Sequence, residues 1–321
     1  MFKDLILKIG TFFSGIGAPE EALKKLNINY SLEFACEIDK FARQSFLANH
    51  KPKIFYNDIT KIDYSKLPFA NGIIAGFPCQ AFSVAGKREG FNDDRGNLFF
   101  YLLKALKTVQ PDFFILENVK GILSHDKSNT FKVILENLEN LNYKISYQVL
   151  NTKDYGIPQN RERIFIIGFK DKNINFNFPD KQVLKVFLED LIKNKVDDKY
   201  FASERYLNYI KNTKYRMNKN IIQKKKYSCT LLSSGNILCI DINNIGKQNI
   251  VLKQGAIRRL TPLEYFRLQG FTDDFFYNCK STGLSNTQLY KQAGNAITVN
   301  VLMEIFKELF KALSIALKEA V

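Results

Sequence analysis

The chain has 321 residues, 45% of them hydrophobic and 25% charged, which is ordinary for a globular protein with one large domain and a smaller one. Its net charge of +15 and pI near 9.4 leave two readings open, a lysine-rich surface or an electrostatic footprint for nucleic acid. Five cysteines (Cys36, Cys79, Cys229, Cys239 and Cys279), odd in number and without a CxxC pair, argue against a disulfide scaffold or a zinc site and for a reducing cytoplasm.

The apolar start, Phe2 to Phe13, is broken by Lys3, Asp4 and Lys8. It is too short to span a bilayer and lacks a signal-peptide core, so it reads as a lead-in and first strand. Short apolar runs then recur at Leu7–Phe13, Leu32–Cys36, Ile54–Tyr56, Gly72–Ala75, Phe113–Leu116, Ile145–Val149 and Ile164–Phe169. Between them lie amphipathic stretches such as Pro19–Leu26, Phe41–Asn49, Leu98–Val109 and Thr130–Leu141. This alternation predicts an α/β fold with a mainly parallel sheet. From Lys199 to Lys226 nine basic residues stand against one acidic residue, Glu204, interleaved with Tyr200, Tyr206, Tyr209 and Tyr215. The βαβ rhythm is lost there, and helical patterning resumes at Pro262, ending in a long amphipathic stretch, Val301–Ala320. The predicted organisation is a catalytic domain over 1–177, a smaller domain over 178–262 and a return segment over 263–321 that completes the first.

In open parallel sheets, ligands bind outside the carboxyl ends of the strands. The first predicted strand ends in Phe13-Ser14-Gly15-Ile16-Gly17, the second in Glu37-Ile38-Asp39 and the third in Asn57-Asp58-Ile59. The fourth ends in Gly76-Phe77-Pro78-Cys79-Gln80 and the fifth in Glu117-Asn118-Val119. A lone cysteine beside a strand is most often a small buried hydrophobe. A thiol leaving a strand on a proline-stiffened turn also suits a nucleophile held in a fixed direction. The glycine pattern departs from GxGxxG, and Glu20-Glu21 in the following first turn would repel a pyrophosphate. A cofactor without phosphate fits better. S-adenosyl-L-methionine is one: Glu37 can accept from its ribose hydroxyls and Asp58 from its adenine amino group.

Six ordered blocks carry a specific resemblance: Thr11–Gly17, Gly76–Ser83, Glu117-Asn118-Val119, Gln159-Asn160-Arg161-Glu162-Arg163, Arg259–Glu264 and Gly294-Asn295-Ala296. With them the chain resembles the DNA cytosine-5 methyltransferases of prokaryotic type. The resemblance implies a Rossmann-like S-adenosylmethionine-dependent methyltransferase sheet with helices on both faces, plus a target-recognition domain. It implies Cys79 as the nucleophile that attacks carbon 6 of a flipped cytosine, so that carbon 5 can take a methyl group. Glu117 serves ring nitrogen 3, for which a carboxyl pKa raised by burial would help. Arg163 meets the cytosine carbonyl oxygen and Arg161 lies near the sulfur.

For the cofactor, the resemblance assigns Phe13, Ser14, Gly15, Gly17, Glu37, Ile38, Asp58, Ile59, Pro78, Asn295 and Ala296. Ile38 stands where many relatives carry an aromatic that stacks on adenine, and Ala18 where a third glycine is common. For DNA it assigns the loop residues Gln80, Ser83, Lys87, Arg88 and Arg95, then Thr230 and Leu231, beside which Ser233 and Ser234 are candidates for base contacts. Asn295 and Ala296 precede the last helix yet belong with residues 11–17, so that helix is expected to fold back against the first strand. The implied partner is duplex DNA, with a cognate restriction endonuclease acting independently where one exists. A bacterial or phage-encoded, cytoplasmic monomer with no membrane and no metal is expected.

Three other readings compete with this one. A transfer-RNA cytosine-5 methyltransferase shares the scaffold, but those relatives typically carry Pro-Pro-Cys and a slighter middle domain. A catalytically inactive DNA-binding regulator would have no use for Cys79, Glu117, Arg161 and Arg163 together. A nicotinamide-dependent dehydrogenase would need the glycine fingerprint that is missing.

Overall fold

The computed structural model describes residues 6–78, 98–192, 195–201, 203–205, 228–231, 250–253 and 256–319. Cys79, Gln80, Ser83, Lys87, Arg88, Arg95, Ser233 and Ser234 lie outside them. The chain forms two compact units, one of Met1–Leu150, Glu162–Asp180 and Val301–Val321, the other of Asn151–Arg161 and Lys181–Asn300.

The first unit is built on strands β1 (Leu7–Phe12), β2 (Tyr30–Cys36), β3 (Ile54–Tyr56), β4 (Gly72–Gly76), β5 (Phe113–Val119) and β6 (Lys144–Asn151). After a two-residue strand of the second unit, β7 (Gln159–Asn160), comes β8 (Glu162–Phe169). The seven-stranded sheet has the order β3-β2-β1-β4-β5-β8-β6. The pairings from β3 through β5 are parallel, whereas β8 runs antiparallel to β5. Strand order reverses between β1 and β4, so a crevice opens at their carboxyl ends.

Burial on both faces explains why these strands read as unbroken apolar runs. Ile73 and Ala75 join the cluster formed with Leu102 and Leu106 of α3 (Leu98–Val109) and Ile134 and Leu138 of α4 (Asn129–Glu139). Ile74 points the opposite way by the two-residue period and is buried too. Helices α1 (Ala18–Lys25) and α2 (Lys40–Asn49) bury Ala22, Leu23 and Phe46 outside that cluster. Asp39 caps α2, its Oδ1 accepting from the N–H groups of Phe41 and Ala42. Strand β1 stops one residue before the predicted end because Phe13 takes a left-handed φ of 52° and begins the turn. At the far edge of the crevice, the Phe77 ring sits 5.3 Å from the Phe99 ring, joining the end of β4 to the first turn of α3.

In the second unit β7 pairs in parallel with β9 (Ser228–Cys229), and β10 (Ile250–Lys253) forms a hairpin with β11 (Ala256–Arg259). Helices α5 (Leu188–Leu191), α6 (Pro262–Arg267), α7 (Asp273–Ser281) and α8 (Asn286–Asn295) complete it. Helix α6 starts on a capping box: Thr261 Oγ1 accepts from the Glu264 N–H, and Glu264 Oε2 accepts from the Thr261 N–H. The same carboxylate is gripped by Arg258 through two bonds of 2.8 and 2.9 Å, with both side chains only 1% exposed. The last helix, α9 (Val299–Glu319), buries Val301, Leu302, Ile305, Phe306 and Leu309 at helical spacing. Among the described residues no helix is long and apolar enough to cross a membrane.

Candidate active site

The ends of β1, β2 and β3 are locked to one another. The Ser14 N–H donates to the Cys36 carbonyl at 3.0 Å, and Ser14 Oγ accepts from the Cys36 N–H at 3.1 Å. Ser14 thereby acts as a staple between β1 and β2. The Glu37 N–H in turn donates to the Tyr56 carbonyl at 3.1 Å. Glu37 reaches back to the glycine turn, where its Oε2 accepts from the Gly15 N–H at 2.8 Å, while Oε1 accepts from the Asp39 N–H at 2.8 Å. Burial pushes the Glu37 carboxyl up, opposed by these backbone donors.

The two glycines act differently. Gly15, at φ 56°, has nothing within 4 Å of where a Cβ would stand, so open space lies before it. At Gly17, φ 92°, a Cβ would collide with the His50 ring at 2.3 Å, so this glycine lets the His50 ring pack close.

These residues fit S-adenosylmethionine. Each Glu37 oxygen retains a lone pair for a ribose hydroxyl beyond its backbone bond. Asp58 Oδ1 accepts from the Thr60 N–H and hydroxyl at 2.9 and 2.8 Å, which holds its carboxyl below the usual range and ionised. Its Oδ2, with Lys61 Nζ at 3.9 Å, remains an acceptor for an amino group. Ile38 is 71% exposed beside Glu37, a large apolar surface suited to one face of a flat base. Phe13 is half-buried and packs on the core, whereas the Ile59 side chain is itself core. Glu20 and Glu21, in the first turn of α1, are almost fully buried, and the Oε2 atom of each is buried without a hydrogen-bond partner. Burial pushes the Glu20 carboxyl up to about 7, and Thr11 Oγ1 donates to its Oε1 at 2.9 Å.

On the other side of the crevice, β4 and β5 end in register, Gly76 opposite Glu117. Asn118 Nδ2 donates to the Phe77 carbonyl at 2.9 Å, and Asn118 Oδ1 accepts from the Val119 N–H at 2.8 Å. The turn at Pro78, from which Cys79 follows in sequence, is thereby tied to the end of β5. Because β8 is antiparallel, its first residues lie at this same rim. Arg163 Nε approaches Glu117 Oε1 to 3.1 Å, and both side chains are largely buried. Burial lowers the Arg163 pKa, offset by the Glu117 charge.

In the second unit Arg161 is 2% exposed. Its Nη1 donates to the Leu231 carbonyl at 3.3 Å, and its Nη2 to the Gly294 and Ala296 carbonyls at 3.0 Å each. Thr230 Oγ1 donates to the Asn160 carbonyl at 2.7 Å, and Leu231 is buried at 1% exposure. Asn295 ends α8 with its side chain exposed, and Ala296 is buried. Gln159, quoted within a sequence block but given no role, is fully buried. Its Nε2 donates to the Leu268 carbonyl at 2.7 Å and its Oε1 accepts from the Leu231 N–H at 3.0 Å. The available signal was its place two residues before Arg161 in the block Gln159–Arg163.

The family model for the C-5 cytosine-specific DNA methylases matches residues 7–311. The chain is 36% identical over 325 residues to the type II methyltransferase M.Bsp6I of Bacillus sp. (strain RFL6), covering 96% of this chain and all of that one. It is 32% identical over 426 residues to the orphan methyltransferase M.SPRI of Bacillus phage SPR, covering 94% and 97%. Among solved structures, S. pombe Dnmt2 methyltransferase superposes with a TM-score of 0.76 at 20% identity, covering 96% of this chain and 99% of that one, a likeness of fold. A glycine turn braced by Glu37, with Glu117 and Arg163 on the adjoining rim of a methyltransferase-type sheet, thus lies within a chain that belongs to the C-5 cytosine-specific DNA methylase family and is a DNA cytosine-5 methyltransferase.

Proposed function

We propose that the enzyme methylates carbon 5 of a cytosine flipped out of a specific duplex DNA sequence, with Cys79 as the covalent nucleophile and S-adenosyl-L-methionine as the donor. The observation that carries this reading is the tie from Asn118 to the Phe77 carbonyl beside the Glu117–Arg163 pair. It supports a nucleophile leaving the Pro78 turn next to a carboxyl and a guanidinium.

Cytosine carbon 5 is a weak nucleophile until the ring is activated. The Cys79 thiolate adds to carbon 6, forming a C–S bond and pushing an electron pair toward ring nitrogen 3. Glu117 meets that nitrogen with a hydrogen bond or proton, and Arg163 meets the adjacent carbonyl oxygen while orienting Glu117. Carbon 5, now part of an enamine, takes the methyl group. A base removes the proton from carbon 5, and elimination breaks the C–S bond and returns the thiolate. The bound cofactor supplies that methyl group on a cationic sulfonium. Glu37 would hold its ribose, Asp58 its adenine amino group and Ile38 and Phe13 its adenine faces, and the resemblance assigns Asn295 and Ala296 to the methionine end.

Lys87, Arg88 and Arg95 would bind phosphates, with Gln80 and Ser83, as the segment after Cys79 covers the flipped base. Target recognition falls to the 178–262 region, through Thr230, Leu231, Ser233 and Ser234. The relatives' names support two settings, a restriction-modification system with an independently acting endonuclease or an orphan methylase. A cytoplasmic monomer in a bacterial or phage setting suits either.

Bisulfite sequencing of DNA from an expressing host would identify the methylated site. A duplex carrying 5-fluorocytosine there should then trap a denaturation-resistant adduct, because fluorine cannot leave as a proton does. Peptide mapping should place it on Cys79, and Cys79→Ser should neither methylate nor form the adduct. An adduct on another residue, or methylation by Cys79→Ser at a near wild-type rate, refutes the mechanism.

A further inference from the structure

We infer that Arg161 is a positioning residue that couples DNA binding at the recognition segment to cofactor binding at the loop after α8. A buried guanidinium is costly to move away from the groups that solvate it. Arg161 directs its terminal nitrogens at three backbone carbonyls from two distant parts of the chain, Leu231 on one side and Gly294 and Ala296 on the other. The latter two lie at the end of α8, where carbonyls are left without helical partners and a cation is favoured.

A second route runs beside the first. Gln159 holds the Leu231 N–H at 3.0 Å and approaches Gln269 Oε1 at 3.4 Å. Gln269 Nε2 donates to the Ala293 carbonyl at 2.7 Å, and Gln269 Oε1 accepts from Thr298 Oγ1 at 2.8 Å. Gln159 and Gln269 are fully buried. Displacing one member would therefore strand buried donors and acceptors, so the network moves as a unit. Residues 228–231 are further strapped to the same strand by the β7–β9 pairing and the Thr230 bond to Asn160.

The consequence rests on the proposed reading of Asn295 and Ala296 as cofactor residues and of Thr230 and Leu231 as part of target recognition. DNA that fixes residues 230–231 also fixes, through Arg161, the carbonyls at 294 and 296, and less ordering is then left for the cofactor. Coupling of this kind is reciprocal: each ligand tightens the other by the same factor. Lysine cannot replace Arg161, because a single ammonium cannot reach three carbonyls from a planar fork.

The test is a binding cycle with S-adenosylhomocysteine and a duplex carrying the site identified by bisulfite sequencing. In the wild type, saturating duplex should lower the Kd for S-adenosylhomocysteine at least about fivefold. In Arg161→Lys that factor should fall below about twofold, while the Kd of each ligand alone changes less than the lost factor. Gln159→Leu, which cuts the second route, should lower it too, and it decides the matter if Arg161→Lys does not fold. A coupling factor near one in the wild type, or one retained in a folded Arg161→Lys, overturns the inference. So does a variant with intact coupling but an altered pH profile of adduct formation, which would put Arg161 at the sulfur. Failure of the wild type to bind S-adenosylhomocysteine at all would instead refute the underlying cofactor reading, and the inference with it.

Discussion

Arg163 Nε stands 3.1 Å from Glu117 Oε1, and the two belong to antiparallel neighbours, one near the beginning of its strand and the other near the end. The pair presents a carboxyl and a guanidinium side by side at one rim of the sheet, complementary to an amidine-like ring edge with its adjacent carbonyl.

Replacing Glu117 with Gln keeps the volume but removes the acid. Turnover should fall by about 10²- to 10⁴-fold, the usual worth of general acid–base assistance. Affinity for duplex DNA should stay within about twofold, because the carboxyl acts in the activated ring and not on the phosphates. Single-turnover methyl transfer with gel-shift titration checks both, and an unchanged rate removes Glu117 from the chemistry.

Glu37 joins two strand ends and is the ribose acceptor in the proposed reading. Glu37→Gln should weaken S-adenosylhomocysteine binding by about 10- to 100-fold, corresponding to the roughly 1.5–3 kcal/mol of hydrogen bonds to a charged group. Calorimetric titration measures it. A change below about twofold means the diol is held elsewhere.

Two buried groups near the glycine turn oppose each other in their pH dependence. Glu20, normally 4.5, is pushed up to about 7 by burial, so the folded state holds a proton that the unfolded chain has lost. Its contribution to stability falls as pH rises from about 4.5 to about 7, by on the order of 3 kcal/mol. His50, normally 6.5, is pushed down to about 4 by burial, so the unfolded chain takes up the proton first. Its contribution rises over about pH 4 to 6.5 by a similar amount. The two offset each other through most of that range. Glu20→Gln should therefore leave a stability that climbs with pH up to about 6.5, whereas the wild type should be flatter there. Urea denaturation across this range decides, and identical pH slopes for the two proteins would contradict the assignment.

Arg258 and Glu264 form a bidentate pair sealed from solvent. Arg258→Met leaves Glu264 buried without its cation and should cost about 3–5 kcal/mol. Adding Glu264→Met should recover part of that loss, less the contribution of the helix cap that Glu264 also makes. The midpoints of urea transitions report both, and a single-variant loss under about 1 kcal/mol would mean the site relaxes to admit water.

What could be read in the sequence was whatever burial writes into composition. The runs at Gly72–Ala75 and Phe113–Leu116 are strands because both sheet faces exclude water, and their ends carry the polar residues of the site. Strand direction is not written that way. Nothing in Glu162–Phe169 distinguishes an antiparallel strand from a parallel one, although that reversal brings Arg163 to Glu117. Partners remote in sequence were equally hidden: nothing local names the Leu231, Gly294 and Ala296 carbonyls that the terminal nitrogens of Arg161 meet. Glu20 reads as a charge that would repel a pyrophosphate, because a charged letter does not announce a carboxyl enclosed at 0% exposure.

The contact between the Phe77 and Phe99 rings closes the chain on either side of residues 79–97. With Asn118 holding the Phe77 carbonyl, that clasp anchors both stems to the sheet independently of what lies between them. The two stems are thus held by contacts of their own, so sequence changes beyond Cys79 need not shift the register of β4 or the first turn of α3, and the frame tolerates divergence that it does not have to be refolded to accommodate.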